Sequence, residues 1–141
     1  MHVPRLTLEE FGRIVRQVVD ELPAQLKPYL ENVVIDVERA PSRRLLRKLG
    51  ISGSGTTLLG LFEGPPPGER EYGVAHPVRI RIFKRPIERL CRSPQEVQYE
   101  VRRTVIHELA HHFGFEEQDL VEFEARPSPF ARQDNQDQHS P

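Results

Sequence analysis

The segment from Ser93 to Gly114, SPQEVQYEVRRTVIHELAHHFG, constrains the fold more than any other stretch of the chain. Ser93 has a capping side chain, Pro94 suits the first helical position, and Glu96 stands three residues after the cap, so a helix begins here. Val97, Val101, Val105, Ile106, Leu109 and Phe113 then recur at three- and four-residue spacing, about five turns at 3.6 residues per turn. Gly114 is the expected exit, because glycine enters the left-handed conformation that closes a helix without a steric penalty. A helix with one apolar stripe needs a surface to lie on, and the rest of the chain is read as that surface.

The chain supplies it in order. Thr7-Leu8-Glu9-Glu10 is a capping box, and Leu8, Phe11, Ile14, Val15, Val18 and Leu22 form the apolar face of a helix that Pro23 stops. Ala24 to Leu30 adds a short helical turn, limited by Pro28. In Asn32 to Glu38, Val33, Ile35 and Val37 alternate with Val34, Asp36 and Glu38, the period of a strand covered on one face. Residues 42 to 50 read as a helical turn ended by Gly50. Thr56 to Glu63 is apolar and β-branched enough for a second strand, and the proline-rich GPPPGER follows as a turn. The linker from Glu63 to His76 has a length that is often functional in compact domains. Pro77 opens a third strand, with Val78, Ile80 and Ile82 on one face, Arg79, Arg81 and Lys84 on the other, and Pro86 as its end. Phe115 to Phe123 reads as one more short helix. The expected fold is α+β: a small mixed β-sheet packed against the N-terminal helix and the Ser93–Gly114 helix. The domain spans residues 7–123, with tails at 1–6 and 124–141, the second of them expected to be disordered.

A chain of 141 residues is one domain by length, and its formal charge of −1 gives no general attraction to nucleic acid. Charge is nevertheless segregated. Arg39, Arg43, Arg44, Arg47 and Lys48 crowd one stretch without an acid, while Glu116, Glu117, Asp119, Glu122 and Glu124 crowd another without a base. Complementary surfaces within the fold are the main reading, the Arg/Lys stretch by itself is most simply a solvated face, and no nucleic-acid partner is expected because aromatic residues do not interleave the arginines. The one cysteine, Cys91, excludes an internal disulfide and favours a reducing compartment. With no apolar run of membrane-spanning length, a cytoplasmic monomer is the expectation. Any zinc would be held by histidine and carboxylate rather than by thiolates.

Within the motif helix, His107, Glu108 and His111 spell H-E-x-x-H. Residues four apart on a helix point the same way, so the two imidazoles can each place a nitrogen on one zinc ion, about 2.0–2.1 Å away. Glu108 then stands beside the metal, free to take a proton from a zinc-bound water. Unmetallated and buried, such a cluster would be costly to desolvate, which favours a metal site over a chance match. A third ligand is required. Gly114 lets the chain turn back, and Glu117 follows three residues later, at the spacing of the extended zinc motif. Glu116, Asp119, Glu122 and Glu124 stay as alternatives. His112 is rotated away from the pair and reads as a packing residue. Glu100 and Thr104 share the stripe of His107, where they could hold the metal ligands in place, and a solvated face is the commoner expectation for them. Cys91 reads as a small apolar residue, and His2 and His139 have no assigned role. The acidic run after Gly114 favours basic side chains in a substrate.

The run VRRTVIHELAHHFGFEEQDL, preceded by LLGLFEG, a proline-containing turn and a strand ending IFKRPI, resembles the bacterial zincin-like metallopeptidase family of small single-domain proteins. The likeness extends over about residues 8 to 123. It implies a compact zincin core, a bound zinc ion and peptidase activity. In that family the third metal position, which falls on Glu117 here, is usually aspartate. The chain departs from the metzincins, which carry a methionine turn, since its single methionine is Met1. Read this way the protein is a zinc-dependent peptide-bond hydrolase acting on a peptide or protein substrate. His107, His111 and Glu117 hold the metal, and Glu108 is the general base. In that layout Thr56 to Glu63 is the edge strand to which substrate adds, and His76 or Tyr72 serves as oxyanion donor. The rival reading is a catalytically weak zincin that binds a protein through the edge strand or the arginine cluster.

Overall fold

The computed structural model describes residues 5–51, 58–64 and 78–114. Helix α1, Leu8–Asp20, starts on the expected capping box: the Thr7 hydroxyl accepts from the Glu10 N–H at 3.0 Å, and the Glu10 carboxylate accepts from the Thr7 N–H at 2.8 Å. A 3-10 turn, Ala24–Leu26, and the short helix α2, Lys27–Leu30, carry the chain to strand β1, Val33–Glu38. Helix α3, Arg43–Lys48, is capped by Ser42 and followed by Gly50 at φ +74°.

Strands β2, Gly60–Glu63, and β3, Val78–Phe83, complete a three-stranded sheet in the order β1-β3-β2. The β1–β3 pair is parallel and the β2–β3 pair antiparallel. The register places Ile35, Ile80 and Phe62 side by side, and likewise Val37, Ile82 and Gly60, so one face of the sheet is apolar across all three strands. The opposite face is ionic: Arg81 makes a bidentate pair with Glu38 at 2.8 and 2.9 Å, and Arg79 meets Asp36 at 3.0 Å. The Arg81 guanidinium holds the Glu38 carboxyl below the ordinary glutamate range.

Two helices cover the apolar face. Helix α1 lies on β1, and the long helix α5, Pro94–Phe113, lies on β2 and β3 and against α1. Phe11, Val15 and Val18 of α1 meet Ile80 and Ile82 of the sheet and Val97, Val101, Val105, Ile106 and Leu109 of α5 in one core. Removing each such side chain from water contributes about 1.5–3 kcal/mol, and this holds the two layers together.

Two expectations change. β2 begins at Gly60, with Leu58 and Leu59 outside it, whereas Thr56 lies outside the described residues. The third strand does not run on to Pro86. It gives way at Lys84 to helix α4, Lys84–Arg89, in which Pro86 is the third residue, where a missing N–H costs no helical bond. Lys84 is accordingly not on a solvated strand face; it is buried, with Nζ 3.1 Å from a Glu88 carboxylate that is itself 0% exposed. Arg39, Arg43, Arg44, Arg47 and Lys48 are exposed, the solvated face expected of that stretch, and the acidic run from Glu116 to Glu124 that they would complement lies outside the described residues. Cys91 is buried, as expected of a packing residue, and burial together with Glu100, Glu96 and Glu88 pushes its thiol up to about 12.

Candidate metal centre

Helix α5 begins and ends as its sequence requires. The Ser93 hydroxyl accepts from the Glu96 N–H at 3.2 Å, and Gly114 closes the helix at φ +74° and ψ +32°. One face, from Val97 to Leu109, is spent on the core, which leaves His107 and His111 on the other. Both rings are exposed, and Glu108 between them is half-buried. The desolvation argument for a metal therefore applies to Glu108 and not to the two exposed histidines. The i, i+4 placement on an open face supplies two imidazole donors side by side, the arrangement that zinc favours.

Glu108 is held from outside its own helix. The Phe62 N–H of β2 donates to Glu108 Oε1 at 2.8 Å, which fixes the carboxylate from the sheet side. Burial pushes this carboxyl above the ordinary glutamate range, against the pull of the Phe62 N–H and of His111 and His107. Close approach of strand and helix makes the bond attainable, and Gly60 permits that approach. A Cβ there would stand 2.6 Å from Thr104 Cγ2 and 3.2 Å from the Arg81 carbonyl oxygen. The Phe62 ring pins the same junction by stacking on His112, centroids 3.7 Å apart and planes at 20°. His112 is thus the packing residue its rotation on the helix implied.

A cleft of about 540 Å³ opens beside this junction. His107, Glu108, Thr104, Arg103 and Glu100 of α5 form one wall, and Leu58, Leu59, Gly60 and Leu90 form the other. Glu100 and Thr104 are therefore cleft residues and not part of a solvated face; Thr104 is 7% exposed, its hydroxyl donating to the Glu100 carbonyl at 2.8 Å. Arg103 was not singled out by the sequence reading, although it stands four residues before His107, the same spacing that links His107 to His111. Nothing local could have indicated Leu90, which reaches the cleft from beyond α4.

Glu117, the favoured third ligand, and its alternatives Glu116, Asp119, Glu122 and Glu124 lie outside the described residues, as do the oxyanion candidates His76 and Tyr72. Among the described residues no group of three or more histidine, cysteine, aspartate or glutamate side chains is placed to hold a metal ion. What is described fits two of three zinc ligands plus an anchored carboxylate beside them. A sequence profile of the zincin-like metallopeptidase family matches residues 30–126, more than half of the chain. The chain belongs to that family. The matched span takes in β1, β2, β3 and the whole of α5, so the zincin-like region contains both the sheet edge and the H-E-x-x-H helix. Among solved structures, a conserved hypothetical protein from Thermo thermophilus is similar at 23% identity over 77% of this zincin-like chain and 94% of that one, with a TM-score of 0.49. No curated protein matches the chain. Among the described residues no helix is long and apolar enough to cross a membrane.

Proposed function

We propose that this zincin-like protein is a zinc-dependent hydrolase of peptide bonds, acting on a peptide or protein substrate in the cytoplasm. The observation that carries the reading is the Glu108 carboxylate: it stands between two exposed imidazoles, is raised in pKa by burial, and is tied at 2.8 Å to the strand that borders the cleft. His107 and His111, with Glu117 as third ligand, are the residues that would hold the metal. When bound, zinc supplies a Lewis acid that polarises a carbonyl and lowers the pKa of water toward neutrality.

The remaining work falls to the chain. The Glu108 carboxylate, steadied by the Phe62 N–H, takes the proton of the attacking water and later passes it to the leaving amine. A carboxyl raised by burial is better matched to both transfers than an ordinary one. β2 is an outer strand of the three-stranded sheet, and an extended substrate can add to its edge by main-chain hydrogen bonds. The cleft walls give that substrate side-chain contacts on one side of the reacting bond.

Glu108→Gln tests this directly. It keeps the shape and the acceptor for Phe62 but removes the base, so peptide hydrolysis should fall by about 10²–10⁴-fold while zinc, measured by elemental analysis, stays stoichiometric. Hydrolysis retained in this variant, or wild-type protein purified without stoichiometric metal, would sink the reading.

A further inference from the structure

The cleft beside His107 carries a cation that neither the metal pair nor the general base uses, and we propose that Arg103 reads a carboxylate of the ligand that lies there. The hydrolase reading enters only in naming that ligand a peptide substrate. Arg103 is four residues, about 6 Å of helix axis, before His107 and on the same face. An extended peptide advances about 3.4 Å per residue. A metal shared by His107 and His111 lies about 9 Å along the axis, so the guanidinium meets a group two or three residues from the bond at the metal pair.

The surroundings make Arg103 a reader rather than a structural cation. Its ion pair with Glu100 is long, at 3.4 Å, against 2.8 and 2.9 Å in the bidentate Arg81–Glu38 pair of the same protein. Its side chain is 41% exposed while that of Glu100 is 19% exposed, so an incoming group meets the cation first. The guanidinium is 5.8 Å from the Tyr99 ring centroid, close enough for a cation–π contact that positions it, and its buried Nε has no acceptor among the described residues. A guanidinium offers five N–H donors in a planar fork, and a carboxylate matches two of them at once. Leu58, Leu59 and the 52% exposed Leu90 supply apolar cover opposite, which shields such a pair from water. The acidic run that favours basic substrate residues lies beyond Gly114, outside the described residues; the most exposed charge on the described wall is positive.

The carboxylate has two sources, an aspartate or glutamate side chain or the free C-terminus of a peptide, and one binding experiment separates them. The full-length Glu108→Gln chain, which does not consume its ligand, is titrated into fluorescein-labelled leucine-rich hexapeptides and followed by anisotropy. Three probes are C-terminally amidated and differ only in carrying glutamate, glutamine or lysine near the centre; a fourth is the glutamine peptide with a free carboxyl terminus. The Glu probe, or the free-terminus probe if the chain end is the source, should bind about tenfold tighter than the amidated Gln probe, the effect of one charge-assisted hydrogen bond. Arg103→Met should erase that preference, Arg103→Lys should retain part of it, and Glu100→Gln should strengthen it by removing the internal competitor. Glu100→Gln/Arg103→Met should match Arg103→Met, which excludes simple repulsion by an unpaired Glu100; circular dichroism confirms that each variant is folded. Equal affinity for all probes, no measurable binding of any, or a preference unchanged in Arg103→Met would overturn the assignment. Cleavage of the same probes by the wild-type chain is scored separately: a carboxylate preference without cleavage removes the hydrolase reading and leaves this site, and cleavage without preference does the reverse.

Discussion

At Gly60 a single hydrogen atom sets how near the edge strand can lie to the motif helix. The Thr104 methyl that a Cβ would strike, at 2.6 Å, cannot simply rotate away, because the Thr104 hydroxyl is bonded to the Glu100 carbonyl at 2.8 Å. Gly60→Ala should therefore force β2 outward at a cost of about 1–3 kcal/mol, the usual range for overpacking, and loosen the Phe62–Glu108 bond with it. Thr104→Ser deletes the offending methyl and keeps the hydroxyl, so the double variant should recover most of the loss in denaturant titration. Additive effects of the two changes would show that the contact does not limit the approach. A glycine inside a strand does signal close backbone approach in sequence. That Thr104 is the atom approached could not be read there, since it lies 44 positions away in the chain.

At the scale of elements, α5 was the most legible part of the protein because its start, its apolar stripe and its exit are all local signals. Ser93→Ala should cost about 1 kcal/mol through the lost bond to the Glu96 N–H. Gly114→Ala meets no atom of the described residues within 4 Å, so its cost, about 1–2 kcal/mol, is that of the left-handed backbone. Thermal melts of the two variants should show losses that add, given their separation on the helix. Helix α4 was not legible. Its six residues KRPIER look like a charged strand end with a proline stop; Glu88 accepts locally from Lys84 and Arg85, and the partner that could not be read from the neighbourhood is the distant Leu6 N–H.

For the whole molecule, that Glu88 cluster joins the entry to α1 with the turn between β3 and α5. Burial acts to raise the Glu88 carboxyl, but the Leu6 N–H, Arg85 and Lys84 outweigh it, and the net shift is downward from 4.5. A folded-state pKa below the unfolded one means that this contribution is present above about pH 4.5 and is lost as pH falls through the folded value. Glu88→Gln should destabilise the fold at pH 7 by about 3 kcal/mol, because it strands buried cations. It should also flatten the acid limb of the stability profile below about pH 4.5. Urea midpoints at pH 7 and along that limb test both, and a variant whose profile keeps the wild-type slope would assign the acid sensitivity to other carboxylates.

The sequence by itself determined the two capped helices, the alternation of β1 and β3, the H-E-x-x-H face and its glycine exit, since each depends on residues within a few positions of one another. It also carried the family likeness that the profile over residues 30–126 bears out. Only the tertiary structure decided the strand order β1-β3-β2, the helix at Lys84, the exposure of both histidines and the bond from Phe62 to Glu108. It also decided the cleft that Leu90 and Arg103 share. These depend on which distant surfaces meet, and hydrophobic periodicity specifies that a face is buried without specifying its partner. The motif helix therefore marked where chemistry could occur, and the strand packed against it decided how Glu108 is held.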